Sequence, residues 1–300
     1  MTEKLPAAAS GGLIFALGAY AIWGLLPLYL LLIHQVPPFA FVGWRIVFTV
    51  PVCLVIIILL RQWGELRTVI AQPRLIGLLM LSALLIGANS LVYIAAVQAG
   101  HVFATSLAYY INPLVNVMIG TLFLGEKLNR RQWWAVAIAV TGVAPLAFEA
   151  REMLAISLIL AFTFAGYGLV RKYAPVAPVP GLTIETAVLL LPALAILVWQ
   201  VQVHGPAGFG SEPGITALLA LSGILTATPL LLFAAAARRM SFSALGFVQF
   251  IAPTIAFLLA MFVFHEPLGQ AQLLCFFAIW CAIGLFGWDL WLTRGLIPAG

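Results

Sequence analysis

Charge is what this sequence has least of. Of its 300 residues only 8% are Asp, Glu, Lys or Arg, 9 of them acidic and 14 basic, against about 25% in an ordinary soluble domain. A soluble body of this length is thereby excluded, because its surface could not be wetted. Cysteine is nearly absent as well. Cys53, Cys275 and Cys281 each sit within an apolar run, without a CxxC pair or a nearby histidine, which argues against a Cys/His metal site and leaves them as packing or lipid-facing residues. Also missing are HExxH, GxSxG, a Walker sequence and any cluster of carboxylates or histidines at metal-ligand spacing. An enzyme is therefore not expected, and neither is a metal or cofactor.

What fills the chain instead is apolar: 64% hydrophobic residues, with a mean hydropathy of +1.14. Bounded by charges, Pro and Gly, the runs fall at Gly11 to Ile33, Phe39 to Leu60, Leu75 to Val97, Phe103 to Leu124 and Trp133 to Phe148. A second set falls at Met153 to Val170, Leu182 to Val201, Ile215 to Ala237, Ser243 to Phe264 and Ala271 to Leu292. A membrane-crossing helix needs about 20 such residues, and only helices or closed barrels satisfy the backbone in hydrocarbon. The short alternating segments of a barrel are not visible. The expected fold is an all-α integral membrane protein of ten transmembrane helices. The first run is too long for a signal-peptide core of about 7–15 residues, so it is expected to stay as a span.

The net charge of +5 is a topology signal rather than a nucleic-acid footprint. Lys4, Arg61, Arg67, Arg74, Lys127, Arg130, Arg131, Arg171, Lys172, Arg238, Arg239 and Arg294 fall on one side of ten spans, and Arg151 on the other. Under the positive-inside rule both termini are cytoplasmic, in a bacterial inner membrane. The four histidines, His34, His101, His204 and His265, then lie on the outer side.

Comparing the sequence with itself at a displacement of 140 brings Pro113 onto Pro253, Glu126 onto Glu266, Leu128 onto Leu268, Gln132 onto Gln272 and Ser82 onto Ser222. Such periodicity marks an internal repeat, and a unit of five spans must insert its second copy upside down. Two inverted five-helix repeats are expected at 11–148 and 153–292, joined by a linker at 149–152 and flanked by cytoplasmic ends at 1–10 and 293–300. Transporters built this way bind substrate near the bilayer midplane, where the repeats meet.

The stretches AYAIWGLLPLY, WRIVFT, YYINPLVNVMIGTLFLGEKLNRRQW and FIAPTIAFLLAMFVFHEPLGQAQ resemble the drug/metabolite transporter superfamily, its EamA-type branch and, within that, RarD-like permeases. The likeness spans essentially the whole chain. It implies ten helices in two inverted repeats and export of amino acids or other small metabolites. One departure is that Phe39, Ala40 and Phe41 stand where an acidic residue often precedes the Arg of the second span.

Polar side chains at mid-depth are costly in lipid and turn toward a cavity or another helix. Tyr20 with Trp23, Asn89 with Tyr93, Tyr109 with Asn112 and Asn116, and Thr163 with Tyr167 each share one helical face. Thr226, Thr228 and Gln249 add to the set. These residues form either a substrate pocket of aromatic walls with amide and hydroxyl donors, or a series of bonds between helices. Pro113 and Pro253, repeat mates, are the candidate hinge or gate. Arg45, the one cation well inside a span, either holds a substrate carboxylate or snorkels to the outer interface. Glu126 and Glu266, near Asn129–Gln132 and Gly269–Gln272, resemble capping-box surroundings. Ala135, Ala139 and Gly142, and Ala161 with Ala165, are spaced for close helix packing. Glu185 and Asp289 lie near cytoplasmic ends, so facilitated diffusion or exchange is expected rather than carboxylate-based proton coupling. The expected partners are a small zwitterionic or neutral solute and the lipid bilayer, not nucleic acid. A channel, a membrane scaffold and an exporter of hydrophobic drugs are the alternatives.

Overall fold

The computed structural model describes residues 8–149, 151–206, 208–265 and 269–294, and the regular elements among them are all helical. The first half contains α1 (Ala8–Leu32), α2 (Pro38–Leu59), α3 (Trp63–Ile70), α4 (Pro73–Gln98), α5 (Val102–Leu122) and α6 (Arg130–Glu149). After a 3-10 turn at Arg151–Met153 come α7 (Leu154–Tyr173), α8 (Pro178–His204), α9 (Pro213–Ala237), α10 (Phe242–Gln249), α11 (Ile251–Phe262) and α12 (Gln270–Arg294). Eight helical segments among the described residues, with α10 and α11 counted as one, are long and apolar enough to cross a membrane. The two remaining long helices, α5 and α6, have 21 and 20 residues but are more polar. α5 carries Thr105, Tyr109, Asn112 and Asn116, and α6 opens on Arg130, Arg131 and Gln132. Lys4, Glu266 and Leu268 lie outside the described residues.

Two elements depart from the expected runs. The eight residues of α3 bury Leu66 and Val69 and expose the rest of a charged turn, an amphipathic pattern too short to register as a span. The ninth run is not one helix. Pro253 has no N–H to give the carbonyl of Gln249, one turn earlier. The chain passes Phe250 with a tight bond from its amide to the carbonyl of Phe247, 3.3 Å, before α11 begins. Its repeat mate Pro113 sits inside an unbroken α5.

The helices pack in defined pairs. α1 lies against α9, α10 and α11, and α7 against α4 and α5; α2 contacts α8 and α9, α5 contacts α10, and α6 pairs with α12. Without a hydrophobic drive between helices in lipid, close approach depends on small residues. On α6, Ala135, Ala139 and Gly142 are all buried, and a side chain at Gly142 would run into Ala278 of α12. Four pairs of helices begin 140 positions apart: α2 and α8 at Pro38 and Pro178, α4 and α9 at Pro73 and Pro213, α5 and α10 at Val102 and Phe242, α6 and α12 at Arg130 and Gln270. The prolines stand in the first turn, where their missing N–H costs nothing.

Candidate functional site

A central cavity lies among α1, α2, α4, α5, α7, α9, α10 and α11, with about 1290 Å³ of atom-free space including its mouth. With the open mouth included, that exceeds the roughly 300–1,000 Å³ of an enclosed small-molecule site. Its floor is aromatic. Trp23 lies 5.7 Å from Tyr20, 5.5 Å from Phe164 and 5.9 Å from Phe233, centroid to centroid, and Tyr167 stacks beneath Phe233 at 5.8 Å. From the floor the lining climbs past Asn89, Asn112 and Gln249 to Arg45, Tyr93, Tyr109 and Thr105. These upper residues lie toward the start of α2 and α5 and the end of α4.

Eight of the residues singled out from the sequence line this cavity: Tyr20, Trp23, Arg45, Asn89, Tyr93, Tyr109, Asn112 and Gln249, with Thr226 beside them. Four do not. Asn116 is buried behind the wall, donating to Gln249 Oε1 at 2.7 Å, and Tyr20 Oη donates to the same oxygen at 3.4 Å. Thr163 receives the Asn89 amide at 2.9 Å. Tyr167 is buried under the floor, and Thr228, half-buried on α9, is not part of the lining. The two prolines sit in different local conformations. Pro113 meets α10 where its carbonyl fills the space that a side chain at Gly246 would need, whereas Pro253 opens α11.

Arg45 turns into the cavity. One Nη donates to Ser90 Oγ at 2.7 Å, while Nε is buried without a hydrogen-bond partner. The ion pairs among the described residues join Arg131 to Asp289 and Arg171 to Glu185, so no carboxylate neutralises Arg45. Asn112 Oδ1 is likewise buried without a partner. The wall therefore holds a buried donor on a cation and a buried acceptor that make no hydrogen bond within the protein.

At the other end of α7 the helices are sealed. Arg171 Nη1 stands 3.4 Å from Glu185 Oε1, with the two side chains 0% and 1% exposed. Ser82 Oγ donates to the same carboxylate oxygen. The first turn of α8 sits directly on the guanidinium, because Gly181 has no side chain to obstruct it. Lys172 Nζ donates to the carbonyls of Ala237 and Met240, and Arg238 donates to that of Val176. Partial burial, with Arg171 and Arg239 close by, draws Arg238 below the ordinary arginine value. The depth of Glu185 differs from the expected position near a span end. Starting at Pro178 rather than Leu182, α8 carries Glu185 seven residues inside the helix and fully buried. The signal was present in the sequence as two opposite charges within apolar surroundings, Arg171 and Glu185, with Gly181 one turn before the acid.

Glu126 is structural, but not as its neighbourhood suggested. Asn129 and Gln132 form a reciprocal capping box at the start of α6, at 3.0 and 3.1 Å. Glu126 instead accepts from the amides of Phe242 and Ser243 at the start of α10.

A multi-pass helical protein with a solute-sized cavity between its helices belongs to the class of small-molecule membrane transporters. The pattern of the EamA-like transporter family matches residues 10–148. Protein RarD of Escherichia coli is 41% identical over 94% of this chain and 96% of its own length. An uncharacterized transporter of Pseudomonas aeruginosa is 40% identical over 96% of each. A chloramphenicol-sensitive protein RarD of the same organism is 29% identical over 93% of this chain and 94% of its own. A solved crystal structure shares the fold with a TM-score of 0.72 at 18% identity, covering 96% of this chain and 99% of that one. The chain belongs to the drug/metabolite transporter superfamily as a RarD-like permease of the EamA-like family, a multi-pass protein of the bacterial inner membrane.

Proposed function

We propose that the chain exports small zwitterionic metabolites, amino acids first among them, by alternating access of two inverted five-helix repeats with both termini in the cytoplasm. In this reading α5 and α6 cross the membrane too, and α10 with α11 forms the ninth of ten spans. The helix starts spaced by 140 support it, as does the pairing of α1 with α9 and of α7 with α4, which a two-fold exchange of halves would relate. The cavity then lies toward the outer side and the Arg171 end is the closed cytoplasmic side.

The observation that carries the substrate class is the pair of unused polar groups in one aromatic cavity. Arg45 provides donors for a carboxylate, Asn112 Oδ1 an acceptor for an ammonium, and Trp23 a ring face for cation or apolar contact. Burying such groups unmatched is unfavourable, and a zwitterion matches both signs. Transport of a labelled amino-acid panel in proteoliposomes tests this. Flux of at least one amino acid is expected, with Arg45→Gln lowering its kcat/KM by about 10- to 150-fold, the equivalent of about 1.5–3 kcal/mol for a hydrogen bond to a charged group. No flux of any member of the panel defeats the reading. Chloramphenicol, which has no carboxylate, serves as the discriminating probe: flux of chloramphenicol alone, unchanged in Arg45→Gln, favours a carrier of hydrophobic drugs.

A further inference from the structure

Among the described residues, two carboxylates are buried on the long helices. Asp289 is fully engaged, accepting from Asn129 and Gln132 and pairing with Arg131, which ties α12 to α6. Glu185 is not. Its Oε1 takes the Ser82 hydroxyl and faces Arg171, while its Oε2 is buried without a hydrogen-bond partner. The residue also lines a second void, of about 600 Å³, between α2, α4, α8 and α9. Val42, Arg45, Ile86, Ser90, Thr226 and Leu230 line both this void and the central cavity. A bare carboxylate oxygen beside a largely apolar space is strongly disfavoured while charged, and the void leads from it to the wall of the solute site.

The titratable and charged groups facing Glu185 come from each packed element. α7 supplies Arg171 and Tyr167, α4 supplies Ser82, and α2 supplies Cys53 and, across the void, Arg45. Just past the end of α9, Arg238 faces Arg171 and is itself faced by Glu65 of α3. Arg171 is thus the cation whose partner is lost when Glu185 is neutral.

We propose that Glu185 is the proton-coupling carboxylate of this permease. A proton from water in the central cavity forms the O–H bond at Oε2, Arg171 keeps its own proton, and the neutral acid no longer holds the guanidinium. The sealed end then separates. Water reaching Glu185 from the cytoplasmic side removes the proton, and the ion pair closes again. One proton enters for each solute exported. The direction of the solute rests on the reading above, whereas the protonation does not.

Infrared difference spectra of the lipid-reconstituted protein across a series of pH steps test the protonation without any substrate. The expected result is a protonated-carboxyl C=O band that appears on acidification, is lost in Glu185→Gln and persists in Asp289→Asn. A wild-type spectrum whose carboxyl bands are all retained in Glu185→Gln overturns the proposal. The same comparison with Arg171→Met/Glu185→Gln removes both charges, so that a misfolded single variant cannot decide the outcome. With the labelled amino-acid panel and an internal pH dye, wild-type flux is expected to move protons. Glu185→Gln, which cannot re-form the closing ion pair, is expected to lose all accumulation driven by a pH gradient. Solute flux without proton movement overturns the coupling and leaves the permease standing. Absence of any flux overturns the amino-acid reading, and the infrared result then decides Glu185.

Discussion

Glu126 caps a helix it does not precede. Its two oxygens hold the first amides of α10, more than a hundred residues along the chain, while the turn that follows it is capped reciprocally by Asn129 and Gln132. Capping by a carboxylate satisfies orphan amides at the positive end of a helix. Glu126→Ala is expected to cost about 1–2 kcal/mol, with Glu126→Gln smaller, read as lowered thermal unfolding of the purified protein. Sequence spacing identified a cap and missed its recipient, because the recipient is a tertiary neighbour. Arg45 shows the reverse balance. A lone cation in an apolar run is legible at once, but whether it snorkels or faces a cavity depends on Ser90, which another helix brings to it. Arg171 and Glu185 were legible only as charges near span ends. The turn between α7 and α8, and the bare Gly181 beside it, bring them together.

Hydropathy recovers the long helices because burial in hydrocarbon demands length and apolarity, and both are visible in one dimension. It misses α3, which is short and half polar, and it cannot see the break between α10 and α11, since both sides are equally apolar. The break follows from Pro253, whose ring withholds one hydrogen bond from Gln249, a residue of the cavity wall. Pro113 removes the same bond in α5 without interrupting it. The two repeat mates thus share a chemistry but not a conformation, and the helix is interrupted only beside the one in α11. Pro253→Ala restores an N–H one turn after Gln249 and should join α10 to α11, adding up to about 3 kcal/mol of helix stability. A higher unfolding temperature with slower solute exchange is the expected pair of results. Unchanged exchange at a higher unfolding temperature would show that the break has no part in the transport cycle.

The whole molecule is governed by the distribution of its few charges. The segment joining α2 to α4 carries Arg61 and Arg67 and is followed by Arg74, whereas the described part of the segment joining α8 to α9 has no Lys or Arg. These two segments occupy equivalent places in the two halves, since α2 and α8, and α4 and α9, start 140 residues apart. If the halves are inverted copies, the segments must lie on opposite faces of the membrane, and the charge rule puts the arginine-bearing one inside. A single cysteine at each place decides this. Gly64→Cys is accommodated, because nothing lies within reach of a side chain there, and Ser211 is already exposed. In a background with Cys281 replaced by Ser, a membrane-impermeant maleimide applied to intact cells should label Ser211→Cys and leave Gly64→Cys unlabelled until the membrane is broken. Labelling of both from outside, or of neither, would mean that the halves are parallel. The 140-residue period would then describe a duplication without inversion, and a substrate site between opposed repeats would lose its geometric basis.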